Sequence, residues 1–281
     1  MRDLTQENIT QAVIDRFADT PDPRLKEVIT GLVQHLHAFA REVKLTEEEW
    51  LKGIQFLTHI GHTTDHQRQE FILLSDTLGL STLTVAINNE CPDGCTEATV
   101  LGPFYAENAP LYELGEDIAK GAAGVPCTVR GSVCGQRGEP VQGAEVHVWQ
   151  ADAEGKYDTQ RSALPSHQAR GVLRTDSKGQ YHFRSILAEA YPIPDDGPVG
   201  DMLRATNRHP WRPAHLHFMI RAPGYQTLIT HVFRDGDPYL DSDAVFGVRQ
   251  RLVADWSEQP DGTYLVEYDF VIKPVRQAAR T

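Results

Sequence analysis

Apolar residues recur at three- and four-residue steps through the first hundred positions, a pattern typical of amphipathic helices. The clearest stripe follows Pro23 and comprises Leu25, Val28, Ile29, Leu32, Leu36, Phe39 and Val43. A second helix is predicted after the capping box that Thr46 and Glu49 form, with Trp50, Ile54 and Leu57 at helical spacing. Two shorter helices are predicted over 67–78, ended by Gly79, and over 82–88.

The period changes after Leu101. A long connection over 102–125 leads to short apolar runs separated by Gly- and Pro-containing turns. These runs predict strands at Thr128–Cys134, Glu145–Ala151, Gly171–Thr175, Gln180–Ile186, Ala214–Ala222, Thr227–Phe233 and Tyr264–Ile272. The predicted fold class is α+β, with a helical region over residues 1–101 and an antiparallel β-sandwich over 102–281.

Composition narrows the classes of partner and the compartment. The net charge of −12 disfavours nucleic acid as a partner, because phosphate binding needs clustered Lys and Arg. A membrane partner is not expected, since no stretch approaches 18 apolar residues, and the start of the chain lacks a secretory signal. We therefore expect a cytoplasmic protein with reduced thiols. Cys91 and Cys95 lack a second Cys pair, which favours loop thiols over a zinc site.

Two His-x-His pairs are candidates for metal binding. His35 and His37 lie in a predicted helix and point to different sides, so a role at the helix surface or at an interface is favoured. His215 and His217 lie in a predicted strand, where alternate side chains share one face and one cation could contact both rings. Two polar residues on an exposed strand face remain an equally good interpretation.

Further ligands must come from elsewhere in the chain. The sequence has no HExxH motif and no evident carboxylate partner, which weakens zinc and facial-triad Fe(II) sites. Tyr157 and Tyr191 lie near turns, and an ionised phenolate is a hard oxygen donor that suits Fe(III). Packing of the ring in a loop remains the alternative for each tyrosine alone.

Taken together, these motifs resemble the intradiol ring-cleavage dioxygenases over nearly the full chain. The segments that carry the resemblance are QEFILLSDTLG at 69–79, LGPFY at 101–105, GKYD at 155–158, YPIPDDGP at 191–198 and WRPAHLHF at 211–218. The last two are highly specific in combination, because the order Tyr, Tyr, His-x-His rarely arises by chance in this frame.

The resemblance implies an enzyme that uses O2 to cleave an aromatic ring between two adjacent hydroxyls. It implies a mononuclear non-haem Fe(III) held by Tyr157, Tyr191, His215 and His217, with Tyr191 also accepting a substrate proton. Arg212 would stabilise carbanion character on the ring, although a surface arginine is the alternative. It also implies a homodimer through the N-terminal helices, with a lipid-like molecule often bound there, and a sandwich that carries the iron.

The chain resembles the hydroxyquinol 1,2-dioxygenase branch more than the catechol branch, where His231 is usually Gln and Asp76 tends to be Pro. Asp76 would accept a hydrogen bond from a third ring hydroxyl, and a water-facing charge is its alternative. His231 would lie near Arg212 and the iron, unless it is only a sandwich histidine. The substrate wall is expected to comprise Leu73, Val100, Gly102, Pro103, Phe104, Tyr105, Ile193, Ala244 and Val245.

The expected reaction is cleavage of hydroxyquinol (1,2,4-trihydroxybenzene) to 3-hydroxy-cis,cis-muconate, the enol form of maleylacetate. Two alternatives remain open from the sequence. One is the same chemistry on catechol or a chlorinated catechol. The other is a non-catalytic β-sandwich binding module, which the hairpin pattern over 129–146 alone permits.

Overall fold

The computed structural model describes residues 3–65, 68–90, 94–161, 164 and 167–275. Contacts between backbone positions divide the chain into two compact units, Met1–His59 and Ile60–Thr281. The functional boundary predicted between residues 101 and 102 is a different division of the chain, and it stays a prediction.

The first helices are α1 (Ile9–Ile14), α2 (Pro23–Glu42) and α3 (Glu47–Thr63). Asp22 caps α2 by accepting hydrogen bonds from the Arg24 and Leu25 amides at 2.8 and 3.2 Å. The capping box predicted for α3 is present, since Thr46 N donates to Glu49 Oε2 at 2.9 Å and Glu49 N donates to Thr46 Oγ1 at 3.2 Å. The apolar stripe of α2 remains about half exposed within the single chain.

Helices α4 (Glu70–Thr77) and α5 (Leu80–Asn88) follow, joined through Gly79 at φ +75°. Helix α4 begins three residues later than predicted, and α5 begins two residues earlier. Gln67 and Cys91 lie outside the described residues. No single helix in the described ranges is long and apolar enough to cross a membrane. By length and composition only, α4 and α5 together pass that test as a pair bent by 76°.

The described part of the remaining chain contains twelve strands, one further α-helix, α6 (Pro198–Ala205), and two 3-10 helices. The strands are β1 (Pro126–Gly135), β2 (Glu145–Trp149), β3 (Arg170–Arg174), β4 (Gln180–Ile186), β5 (Tyr191–Pro192), β6 (Trp211–Arg212), β7 (His215–Arg221), β8 (Leu228–Arg234), β9 (Val253–Ala254), β10 (Trp256–Glu258), β11 (Tyr264–Glu267) and β12 (Phe270–Ile272). One sheet has the order β10-β11-β1-β12, with β4 also paired to β1; the second has the order β3-β2-β7-β8-β9; β5 and β6 pair separately.

The two large sheets share one apolar core, as the sandwich prediction requires. Val129 and Phe183 from the first sheet and Val146, Leu216 and Phe218 from the second belong to the same buried cluster. Alternation along β7 sends Leu216 and Phe218 into this core and leaves the two histidines of the strand on its other face.

The sandwich is mainly antiparallel, and both of its large sheets also contain parallel pairs. Strand β1 pairs in parallel with β11 and β12, and β8 pairs in parallel with β9. The predicted strand over 264–272 is two strands, interrupted where Tyr268 O packs against Gly131 and leaves no room for a Cβ. Period-two alternation predicts which face a residue occupies, but it carries no information on the direction of the neighbouring strand.

Candidate active site

The three buried histidines on one face of the second sheet come from two adjacent strands. His215 and His217 lie two residues apart on β7, and His231 lies opposite His217 on β8. All three are almost fully buried, and a nitrogen of each lies within 4.8 Å of the others. The exposed-strand interpretation of the His215 and His217 pair is therefore wrong.

Both candidate tyrosines reach the same place from separate loops. Tyr157 is fully buried and precedes a 3-10 helix, Asp158–Gln160, while Tyr191 begins β5 and pairs with Arg212 on β6. Tyr157 Oη lies 3.1 Å from Tyr191 Oη and 2.8 Å from His217 Nε2. His217 Nε2 lies 3.1 Å from His215 Nε2. The structure therefore brings together all four residues predicted as ligands.

The backbone holds one nitrogen of His215, so the other nitrogen, Nε2, is the candidate ligand for a cation. Its Nδ1 lies 2.7 Å from Pro213 O, and because a carbonyl only accepts, Nδ1 must carry the proton. Burial, followed by the charge of Arg212, lowers the pKa of His215 to about 3, so the ring is neutral near pH 7. The Nε2 lone pair then faces His217 Nε2, an arrangement that a shared cation stabilises.

The donor set fits a hard, highly charged metal ion. Burial lowers the pKa of His217 well below its ordinary value, so this ring is also neutral. Burial raises the pKa of Tyr157 well above 10, and only a strong positive charge at its oxygen would release the proton. Donor atoms roughly 2 Å from one ion lie about 3 Å apart, close to the distances between these atoms. Two neutral imidazoles and two phenols thus form a donor set that can hold such an ion.

His231 lies in this cluster but is held differently. Its Nδ1 is 2.6 Å from Thr99 Oγ1, and its buried Nε2 has no hydrogen-bond partner among the described residues. Burial also lowers the pKa of His231 well below its ordinary value, so the ring is neutral near pH 7. The nitrogen spacing alone would also permit a three-histidine ligand set. Among the described histidines, however, Tyr157 Oη lies within hydrogen-bond distance of His217 and not of His231.

Arg212 lies inside the cluster and does not face solvent. Its Nη1 is 3.3 Å from His215 Nε2, and it forms an ion pair with the buried carboxylate of Asp243. Burial opposes the charge of Arg212, but Asp243 outweighs it and raises the arginine pKa above its ordinary value. The guanidinium is thus a permanent positive charge beside the candidate metal ligands, and the surface-arginine alternative is wrong.

Asp76 is buried near the end of α4, so it does not face water. Burial raises the pKa of its carboxyl, while a hydrogen bond from Ser81 and the charge of Arg212 oppose that shift. The carboxylate of Asp243 acts in the same direction as burial. The Asp76 carboxyl therefore lies near enough to Arg212 and Asp243 for their charges to affect its pKa.

The predicted wall residues divide into three groups. Phe104 stacks on Tyr157 with ring centroids 4.4 Å apart, and a Cβ on Gly102 would lie 3.1 Å from His217 Cε1. Tyr105 packs edge-on against Trp149, which itself stacks on His217. The apolar cluster of Ile193, Ala244 and Val245, with Leu73 packed on it, forms the second group. Val100 is half-buried and Pro103 is exposed, and no described contact links either to the cluster.

Comparison with known proteins identifies the family. A family model described as "Catechol dioxygenase N terminus" matches residues 22–96, and one described as "Dioxygenase" matches residues 100–274. The chain belongs to the intradiol ring-cleavage dioxygenases. It is therefore an enzyme of a family that acts on aromatic diols with O2 and depends on iron in general. The interpretation as a non-catalytic binding module is wrong.

Relatives of this intradiol dioxygenase match it over almost its whole length. It is 63% identical to the 6-chlorohydroxyquinol 1,2-dioxygenase of Cupriavidus pinatubonensis, covering 98% of this chain and 99% of that protein. It is 52% identical to the hydroxyquinol 1,2-dioxygenase of Nocardioides simplex, covering 92% and 87%. The crystal structure of hydroxyquinol 1,2-dioxygenase from Pseudomonas putida DLL-E4 matches with a TM-score of 0.91 and 46% identity, covering 96% and 99%.

Two buried ion pairs of the intradiol dioxygenase were missed from the sequence. One joins Asp243 to Arg212, and the other joins Arg170 to Asp158, with Arg170 Nη2 2.6 Å from Asp158 Oδ1. Asp158 directly follows Tyr157, so the second pair anchors the loop that carries a candidate ligand. The sequence held one signal for these pairs: Asp158 follows the predicted ligand Tyr157, and Asp243 precedes the predicted wall residue Ala244. A charged residue that is buried beside such a position needs a partner.

Proposed function

We propose that this chain cleaves hydroxyquinol with O2 to 3-hydroxy-cis,cis-muconate, the enol form of maleylacetate. The observation that carries the proposal is the convergence of Tyr157, Tyr191, His215 and His217 beside the buried Arg212. The choice of hydroxyquinol is supported by the buried Asp76 and by the names of the relatives at 52% and 63% identity.

Fe(III) is the proposed cofactor, held by the phenol oxygens of Tyr157 and Tyr191 and the Nε2 atoms of His215 and His217. When bound, the ion would act as a Lewis acid to which the two adjacent hydroxyls of the substrate coordinate, and it would prepare the ring for attack by O2. All four side chains are buried, and none of them carries a charge before the ion binds. Tyr191 Oη is proposed to accept one of the two substrate protons.

Arg212 is proposed to stabilise negative charge that develops on the substrate ring. Its Nη1 lies nearest the histidines, whereas its Nε and Nη2 face Asp243. A fixed positive charge in a water-excluded site stabilises such charge more than it would in water. His231 is proposed to support the same region through its buried, unpartnered Nε2, with Thr99 holding the ring from the other nitrogen.

Asp76 is proposed to distinguish hydroxyquinol from catechol. A carboxylate accepts a strong hydrogen bond from a phenol, and a substrate that lacks the third hydroxyl leaves the buried group without that bond. A buried carboxylate left without a hydrogen bond makes the binding of catechol less favourable than that of hydroxyquinol. The proposed apolar wall around the ring comprises Leu73, Val100, Gly102, Pro103, Phe104, Tyr105, Ile193, Ala244 and Val245.

The half-exposed apolar stripe of α2 supports a homodimer built on the N-terminal helices. The proposed location of the protein is the cytoplasm. Leu25, Leu32, Leu36 and Phe39 are each more than half exposed in the single chain, and covering them is favourable. The same face is proposed as the binding place of a lipid chain. Light scattering after gel filtration measures the assembly, and mass spectrometry of an organic extract detects the lipid.

The deciding experiment is O2 uptake by the purified, iron-loaded protein, corrected for autoxidation. Hydroxyquinol, catechol and 6-chlorohydroxyquinol are compared at equal concentration, and products are identified by mass spectrometry. We expect iron at one per chain, a visible tyrosinate-to-Fe(III) absorption band, and a strong preference for the trihydroxylated rings. A colourless protein would overturn the ferric site, and a preference for catechol would overturn the role of Asp76.

A further inference from the structure

The ion pair between Arg212 and Asp243 uses the Nε and Nη2 edge of the guanidinium and leaves Nη1 outside the pair. Arg212 Nε donates to Asp243 Oδ1 at 3.1 Å, and Arg212 Nη2 donates to Asp243 Oδ2 at 3.4 Å. The guanidinium is planar and rigid, so two parallel contacts with one carboxylate set its plane. The remaining Nη1 then points toward His215 Nε2, 3.3 Å away.

Asp243 is itself held in place by the turn that follows it. Its two carboxylate oxygens accept hydrogen bonds from Val245 N at 3.3 Å and from Gly247 N at 2.8 Å. Phe246, between these two residues, adopts φ +58°, a conformation that is unfavourable for a side chain of this size. Arg208 lies 5.0 Å from the Phe246 ring centroid and contributes to holding the turn.

Gly247 leaves the space that the pair needs. A Cβ at this position would lie 3.0 Å from Arg212 Nη2 and 3.1 Å from Asp243 Oδ2, closer than ordinary contact. Both charged side chains are nearly fully buried. Without Asp243, Arg212 would therefore be an uncompensated buried cation with no partner to fix its orientation.

We propose that Asp243 is the positioning residue of Arg212. The carboxylate fixes the guanidinium by its Nε and Nη2 edge, so that Nη1 is presented to the reacting ring, and it balances the charge beside the neutral histidines. The assignment rests on the proposed function, since it concerns how Arg212 acts in that reaction. Asp243 acts only through Arg212 and does not contact the substrate.

The main test compares Asp243→Asn with wild type in the iron-loaded enzyme, with Asp241→Asn as the matched control. Asp241 lies two residues away and is exposed. We expect Asp243→Asn to lower kcat about 10- to 100-fold, with KM changed far less, at full iron content and with an unaltered visible band. Asp241→Asn should retain the wild-type kcat.

A double-mutant cycle with Arg212→Gln separates positioning from a general structural effect. If Asp243 acts through Arg212, adding Asp243→Asn to Arg212→Gln should cause little further loss of kcat. A loss of the same size in both backgrounds would overturn the proposal, as would a wild-type kcat in Asp243→Asn. Loss of iron from Asp243→Asn would also overturn it, because the residue would then maintain the metal site itself.

Two further measurements keep the proposal testable if Asp243→Asn folds poorly. Gly247→Ala retains both charged side chains but pushes a methyl group against them, so kcat should fall while iron is retained. A cavity of about 530 Å3 borders Asp243, which gives a small carboxylate access to the position. Formate should therefore partly restore kcat in Asp243→Ala but not in Asp243→Ala with Arg212→Gln. A wild-type kcat in Gly247→Ala, or equal rescue in both backgrounds, would contradict the assignment.

The outcome is separable from that of the proposed function. A wild-type protein that binds no iron or leaves hydroxyquinol unchanged would refute the proposed function before any variant is compared. An active wild type whose Asp243→Asn variant is equally active would refute only the role of Asp243.

Discussion

At Gly155, the loop that carries Tyr157 packs directly against Tyr191. Its φ is +75°, and a Cβ built on it would lie 2.8 Å from Tyr191 Cβ and 3.6 Å from Tyr191 Cα. Tyr157 follows two residues later on the same loop. Replacing Gly155 with alanine would therefore push the loop of one proposed ligand away from the backbone of the other.

Gly155→Ala should have two separable effects, one on the melting temperature and one on kcat. The left-handed conformation costs an alanine about 1–2 kcal/mol, which lowers the melting temperature by roughly 2–4 °C per kcal/mol in a chain of this size. Non-bonded carbons are most favourable at about 3.5–4.0 Å, so the Cβ atoms of residues 155 and 191 must separate by about 0.7 Å. A shift of that order at a catalytic group lowers kcat by about 10- to 100-fold.

The matched control is Gly138→Ala. Gly138 has φ +80°, and a Cβ there would meet no atom within 4 Å. Both variants therefore carry the same backbone cost, and only Gly155→Ala adds the contact with Tyr191. Melting temperature, iron per chain, the visible absorption band and kcat with hydroxyquinol are measured for both.

We expect the melting temperature to fall in both variants, and to fall further in Gly155→Ala because of the added contact with Tyr191. A shifted band and a lower kcat are expected in Gly155→Ala alone. Identical band position, iron content and kcat in both variants would refute the reasoning that this contact sets the spacing of the two phenols. Loss of iron from both would show that backbone strain is sufficient to disturb the site.

Four further outcomes are expected. Arg212→Ala should retain iron and lose most of kcat, and full activity would remove its proposed role. Asp76→Ala should lower the preference for hydroxyquinol over catechol, so an unchanged ratio of kcat/KM would contradict the proposed recognition. Removal of iron by a chelator should bleach the visible band and abolish O2 uptake, and activity that survives bleaching would exclude the ferric site. In the metal-free protein, folded His215 stays neutral down to about pH 3, whereas the unfolded imidazole gains a proton below about pH 6.5. Acidification should therefore favour unfolding, and His215 alone contributes at most about 1.4 kcal/mol per pH unit to the loss of unfolding free energy. A melting temperature unchanged between pH 6.5 and 4.5 would argue against this.

Local sequence patterns were sufficient to predict many of the elements. Pro23 and the capping box of Thr46 and Glu49 mark the starts of two helices, because helix initiation depends on residues close together in the chain. The alternation of His215, Leu216 and His217 predicted that both histidines share a face, since side chains in a strand alternate with period two. Their choice as metal ligands together with Tyr157 and Tyr191 came from the family resemblance, because spacing alone left an exposed strand equally plausible.

The tertiary structure decided what those elements meet. Tyr157 and Tyr191 are 34 residues apart, yet two loops bring their oxygens to 3.1 Å. Asp243 lies 31 residues beyond Arg212, and the charge pair between them exists only because a turn returns the chain to the sheet. Strand direction also depended on how the chain returns to the sheet, as the parallel pairing of β11 and β12 with β1 shows. Periodicity encodes the face that each residue occupies, whereas a partner distant in sequence depends on the packing of the whole chain.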